Sequence, residues 1–338
     1  MNERGAIYTP LLSIVYSVTD LVTKVMYDSV NFSLTADVAK ADFLAETSQY
    51  INVTGEHLFS GVPFISGNID NSDNSLKVSL SRNRVKISEG SLCKWFLGDN
   101  QQTLGRSETK RAIEKISDIL HLPISESDVT RLDIAQNYIV KHEPKIYFNH
   151  LGNLQHYERF LQSGSLYYQN SIKQLVFYDK IREQKAKHET IPEIYSNRYL
   201  LRYEMRFKAR LRQQFNQTDV RASLLYNEPF YMGIINRWHS EYKAIQKINE
   251  ITLNFAAMRT KREFYKAGLL TLIEKSGGEL AMINQINEAY QTGKLTKKEA
   301  FDLRQAVKDA CKAEFATVES DLIQELNEKV KQSVKFYR

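Results

Sequence analysis

The stretch 174–183, QLVFYDKIRE, decides the reading of this chain. Apolar and polar residues alternate along it at period two, the mark of a half-buried strand. Tyr178 and Lys180 therefore fall opposite Phe177. Two further runs read the same way, 128–140 (DVTRLDIAQNYIV) and 199–210 (YLLRYEMRFKAR). In the first, Leu132, Ile134, Tyr138 and Val140 share one face, and Arg131, Asp133 and Asn137 the other. In the last, Leu201, Tyr203, Met205 and Phe207 oppose Arg202, Glu204, Arg206 and Lys208. Side by side, such strands set a phenol, two carboxylates and several cations on one open sheet face. Those are the parts needed to break a phosphodiester with a tyrosine and a metal ion.

Working outward, 30–34 (VNFSL) reads as a strand and 76–88 (LKVSLSRNRVKIS) as a hairpin turning near Arg82 and Asn83. The run 107–124 reads as a helix, with Ala112, Ile113, Ile116, Ile119 and Leu120 at three-and-four spacing and Pro123 at its end. Residues 144–154 look helical or mixed, and 167–180 read as a hairpin turning near 170–173. From about 216 onward the pattern is helical, with candidates at 235–255, 260–275 and 279–292. Thr296 and Glu299 make a capping box at a further helix start. The expectation is an α+β catalytic domain over 26–225, an antiparallel sheet with helices on one face. A helical domain over 226–338 follows it, and 1–25 is a helix or tail.

Bulk properties narrow the partner class. The 338 residues suit roughly two domains, and 42% hydrophobic with 25% charged residues is ordinary for a globular protein. The net charge of +6 favours an anionic partner, of which nucleic acid is the commonest. A basic protein with no such partner is the other reading. Cys93 and Cys311 are too few for a disulfide framework or a zinc set, which suits a reducing cytoplasm. Pro10, Asp20 and Lys24 interrupt the apolar stretch 6–25, so neither export nor a membrane span is expected. No two of the seven histidines are spaced i,i+2, so a His-hydrophobe-His metal motif is absent. No P-loop is present, which excludes an ATP-driven helicase.

Tyr178 is a feasible nucleophile once its phenol is oriented and its developing charge offset, and Lys180, two residues on, shares its face and would assist. Tyr178 is also one of 19 tyrosines, and core packing is the alternative. Asp133 and Glu204 sit mid-strand, where carboxylates are disfavoured without a task or a partner. Either they hold Mg²⁺ or Mn²⁺, or they pair with Arg131, Arg202 and Arg206. Lys77, Lys86, Arg131, Arg202 and Arg206 are the candidates for holding DNA phosphates.

Read in order, four segments resemble the replication initiators of filamentous phages, the gene II type, and related phage and plasmid replication proteins. GSLCKWFLGDN (90–100) resembles the family's "S-x-x-K, then G-H-N" segment, with Asp99 where histidine is usual. VTRLDIA (129–135) resembles its "S-R-I-D-A" strand. QLVFYDKIRE resembles the strand bearing its nicking tyrosine, and LLRYEMRFKAR (200–210) its "V-R-F-E-A-R" strand. The last two are also similar to strands of the plasmid Rep_trans initiators. Together the segments span about residues 75–215.

The resemblance implies a Rep nuclease-like domain and rolling-circle replication initiation. It implies sequence-specific nicking and joining of single-stranded DNA through a covalent 5′-phosphotyrosine on Tyr178. Asp133 and Glu204 become metal ligands for Mg²⁺ or Mn²⁺. A third carboxylate is not clearly supplied, because Lys86 stands at the hairpin position; Glu183, or Asp179, is the substitute. The implied partners are origin DNA, single-stranded at the nick, a host helicase and polymerase, and a second copy of the chain. A mobilisation relaxase with the same chemistry is the alternative enzyme. A non-catalytic origin-binding initiator or repressor is the alternative class. Such a protein has no need for Tyr178, Asp133 and Glu204 to converge.

Overall fold

The period-two runs pair as strands of a single sheet. A computed structural model of the chain describes residues 26–39, 43–59, 61–248, 250–251, 258–312, 317–318 and 320–335. The N-terminal stretch 1–25, expected as a helix or tail, lies outside these. In chain order the strands of the main sheet are β1 (Met26–Thr35), β2 (Asn52–Phe59), β3 (Val62–Asn68), β4 (Lys77–Ser81), β5 (Arg84–Glu89), β6 (Asp128–Val140), β7 (Glu158–Gln162), β8 (Ser165–Gln169), β9 (Lys173–Asp179) and β10 (Tyr199–Phe207). They form one 10-stranded sheet in the order β2-β3-β4-β5-β1-β6-β10-β9-β8-β7. Every neighbouring pair is antiparallel.

The helices are α1 (Ala36–Ala39), α2 (Leu92–Leu97), α3 (Arg106–Leu120), α4 (Pro144–Phe148), α5 (Lys180–Ala186), α6 (Leu211–Phe215), α7 (Glu228–Ala244), α8 (Lys261–Lys275), α9 (Glu279–Gln291), α10 (Lys297–Cys311) and α11 (Asp321–Lys335). The sequence pattern located the ends of α3, α8 and α9 and the start of α10. Helix α3 stops at His121, which takes the left-handed conformation (φ 53°) two residues before Pro123. Thr296 and Glu299 close the expected capping box on α10, and Thr260 with Glu263 closes another on α8. Helix α7 differs from the expected 235–255. Asn227 accepts from the Phe230 amide and Pro229 sits in the first turn, so the helix starts at Glu228 and ends at Ala244.

The apolar face of the sheet packs on α3, α7 and α11. Leu132, Ile134, Leu201, Tyr203, Met205 and Phe207 meet Ile113, Ile116, Trp238, Tyr242, Leu326 and Val330 in one buried cluster. Phe177 stacks on Tyr203 (centroids 4.5 Å apart, planes 3° apart), and Tyr203 stacks on Trp238 at 4.8 Å. Each such side chain contributes about 1.5–3 kcal/mol by leaving water. Two helices from the region after residue 226, α7 and α11, thus share the core of the sheet. Helices α8, α9 and α10 gather around a smaller cluster of their own, including Leu270, Ile273, Ile286 and Val307. A buried contact ties α9 to the sheet edge, where the Asn153 side-chain amide donates to Glu279 over 3.0 Å beside Arg159. No helix of the described residues is long and apolar enough to cross a membrane.

Candidate active site

The opposite face of the sheet carries the polar halves of the alternating runs. Antiparallel register sets Arg202 opposite both Tyr178 and Asn137, and Arg206 opposite both Asp133 and Gln174. Glu204 lies between, opposite Ala135 and Val176. Tyr178, Asp133 and Glu204 therefore share one patch, and all three line a single cleft of about 480 Å³. Arg131, Arg206, Asp28, Glu183, Lys94 and Lys187 line it too. The face is not open there. Helix α2, the loop after it and α5 contribute Ser91, Lys94, Asn100 and Glu183 to the cleft's lining, so sheet residues expected at a surface lie within a pocket.

The phenol of Tyr178 donates to Glu204 Oε2 across 3.3 Å. Burial pushes its pKa well up; the Arg202 charge pulls it back, while Glu204, Asp28 and Glu183 raise it further. Glu204 also accepts from Arg206 Nε at 2.7 Å. Asp133 takes a two-pronged contact from Arg131, at 2.9 and 2.7 Å. Burial raises its pKa to about 6, against the hydrogen bond from Arg131, and the charge of Glu204 adds to the rise. Of the two sequence readings of these carboxylates, the arginine pairing is seen, and Glu204 also accepts from the phenol.

Asp28 was missed. Strict alternation from Val30 places it on the core side, but a register shift between Tyr27 and Ser29 turns it into the cleft. It is nearly buried, 3.1 Å from Arg202 Nη2, and it accepts from Ser91 Oγ at 3.0 Å and from Asn100 Nδ2 at 3.3 Å. Burial pushes its pKa up, yet Arg202, Lys180 and these donors hold it below the usual carboxylate range. The segment 90–100 supports the site from this side. Ser91 caps α2 and braces Asp28, and Lys94 pairs with Glu189 at the rim. Asp99 instead shapes its own turn, accepting from the Gln101 amide.

Two expected roles are corrected. Arg202 does not hold DNA, because its side chain is 0% exposed. Its guanidinium is committed to Asp28, the Asn100 carbonyl at 3.1 Å and Asn137 Oδ1 at 3.2 Å. Lys180 does not continue the strand beside Tyr178. The Asp179 carboxylate accepts from the Arg182 amide and starts α5, so Lys180 turns inward, fully buried, and donates to Glu183 Oε2 at 2.7 Å. Burial and the Arg202 charge lower its pKa, against the pull of Glu183. Glu183 does reach the cleft, held between Lys180 and Lys187. Burial works against its ionisation, but the charge of Lys180 and the two lysine hydrogen bonds keep its pKa below the ordinary value. Lys77 and Lys86 lie away from the cleft on the exposed β4–β5 hairpin, Lys77 paired with Glu89.

Among the described residues no group of three or more His, Cys, Asp or Glu side chains is arranged to hold an ion. Mg²⁺ characteristically takes one or two carboxylates and completes its shell with water and substrate phosphate. Asp133 and Glu204, on neighbouring strands in one polar cleft, fit that pattern.

The sequence model of a family of replication-associated proteins, the N-terminal part of the phage gene II protein, matches residues 26–241, from the first residue of β1 into α7. The chain belongs to this family. It is a replication initiator of the filamentous-phage gene II type. No curated protein matches it significantly.

Proposed function

We propose that this initiator nicks and rejoins single-stranded origin DNA through Tyr178. The observation that carries the reading is the 3.3 Å hydrogen bond from the Tyr178 phenol to Glu204, inside a cleft that also holds Asp133, Arg131 and Arg206. Glu204 receives the phenolic proton as the oxygen attacks phosphorus. The bond to the 3′ oxygen breaks, that oxygen takes up a proton, and the 5′ phosphate stays on Tyr178. The freed 3′ hydroxyl primes synthesis, and its later attack on a phosphotyrosine reseals a strand. Arg202, directly opposite Tyr178 in register, steadies the developing phenolate from beneath. Arg131 and Arg206 offset charge on the phosphate from the side.

Asp133 and Glu204 would hold a Mg²⁺ or Mn²⁺ ion, with Glu183 or Asp28 beside them. That ion, when bound, polarises the phosphate and neutralises developing charge. A host helicase and polymerase, and a second copy of the chain, complete the proposed replication assembly. The test is incubation with single-stranded DNA of the replicon that encodes the chain, with and without chelator. A covalent protein–DNA adduct should form only with Mg²⁺ or Mn²⁺, and peptide mapping should find the phosphate on Tyr178. An adduct on another residue, or full cleavage in chelator, overturns the corresponding half of the reading.

A further inference from the structure

The row of residues that contains Glu204 continues outward to an aromatic pair that the nicking chemistry leaves unused. Phe160 on β7 stands opposite Tyr167 on β8, Tyr167 opposite Val176 on β9, and Val176 opposite Glu204 on β10. Residues paired across strands share a face, so these four point to the polar side. The Phe160 and Tyr167 rings stack with centroids 5.1 Å apart and planes 8° apart, and both are half-buried. That separation is about one strand spacing, roughly 4.8 Å. The ladder's next rung is Val176, which is 1% exposed and carries no ring. Tyr167, Val176 and Glu204 all line the cleft.

The free face of Tyr167 thus looks across a gap of about two strand spacings toward Glu204 and Arg206. Tyr167 is half-buried and lines the cleft, so a flat π-system entering the cleft meets its ring. Phe160 stands behind, on the far side of Tyr167 from the cleft, and fixes the ring's tilt. The position is beside the tyrosine and carboxylates, so what enters must be attached to the phosphate they act on.

We propose that Tyr167, backed by Phe160, is the stacking platform for one nucleobase flanking the scissile phosphate of single-stranded DNA. The inference rests on the nicking reading above and names the part of the substrate that the β7–β8 hairpin holds. Every base has a π-face, so the platform places the strand without selecting its sequence. Ser165, which also lines the cleft, offers a hydroxyl to the base edge or sugar.

The experiment uses the full chain and a single-stranded oligonucleotide that the wild type cleaves, together with copies carrying one abasic nucleotide at each position around the nick. One flanking position should be sensitive, with binding weakened roughly 5- to 150-fold when its base is missing. Tyr167→Ala should lose a similar factor on intact DNA and nothing more on the sensitive abasic strand. The loss should fall on Kd and KM more than on kcat. Tyr167→Phe, which keeps the ring, should restore most of the affinity, and Phe160→Ala should give a smaller loss. Additive losses, or no sensitive position at either flank, overturn the platform. A Tyr167→Phe enzyme that binds but forms no adduct also overturns it, because the hydroxyl is then chemical. The abasic series on wild-type protein decides the matter even where Tyr167→Ala does not fold. A wild type that cleaves no single-stranded DNA at all removes the nicking reading itself, a result distinct from cleavage that ignores the flanking base.

Discussion

Two parts of one sheet face carry cations at alternating positions and use them in opposite ways. On β6 and β10, Arg131, Arg202 and Arg206 are each locked onto a carboxylate: Asp133, Asp28 and Glu204. On the β4–β5 hairpin, Arg84 and Lys86 stand exposed beside serines. The local patterns are alike. The difference is cover: α2 packs on β1 and α5 on β9 and β10, so that Arg202 is buried and Arg206 largely so. A charge enclosed that way needs its partner, because losing one member of a buried pair strands the other without water. A charge on the hairpin keeps its hydration and is free to meet a phosphate. Burial, more than residue type, separates charge that is paired within the site from charge left to solvent.

The sharpest break between the regions is chemical. Tyr178→Phe removes one oxygen from the cleft and should abolish the covalent adduct while changing DNA affinity no more than a few-fold. Denaturing gels of the protein–DNA product and a binding titration measure the two effects. An adduct formed by the Phe variant would move the chemistry away from Tyr178.

Glu204→Gln keeps shape but removes the proton acceptor and a metal oxygen. Cleavage should fall about 10²–10⁴-fold, the usual span for a general base, in single-turnover kinetics. Near-normal cleavage would assign proton removal to Asp133 or to solvent.

Arg202→Met leaves Asp28 buried without its guanidinium partner, and the fold should lose about 3–5 kcal/mol in denaturant unfolding. The corresponding change on the hairpin, Lys86→Ala, should stay within about 0.5 kcal/mol. Equal losses would dissolve the distinction drawn between the two regions.

The smallest effect is on affinity. Lys86→Ala should weaken DNA binding modestly and reduce the slope of log K against log salt by about one, the signature of one lost phosphate contact. An unchanged slope would place the bound strand away from the hairpin.

Much of the site can be read from alternation alone. Alternation assigns Asp133 and Glu204 to the polar face, and register brings them to Tyr178 as expected. What escapes such reading is whatever depends on an irregularity or on distant cover. Asp28 needs the bulge in β1, which reverses the parity that Val30 and Phe32 set. Lys180 needs the helix that Asp179 caps, which ends the strand one residue after the tyrosine. The β2–β3 hairpin escapes because its alternation is weak. Helices α7 and α11 are legible as helices, but nothing local distinguishes them from α8, α9 and α10, which pack apart.

The sequence by itself determined the regular strands, the side of their alternating residues and several helix ends, because backbone period and local hydrogen bonds act within a few residues. It also carried the family motifs. Only the tertiary structure decided which charges are buried and which carboxylate joins the cleft. Those outcomes depend on the solvent removed by elements far away in the chain, such as α2 closing over β1, and no short window of sequence contains that information.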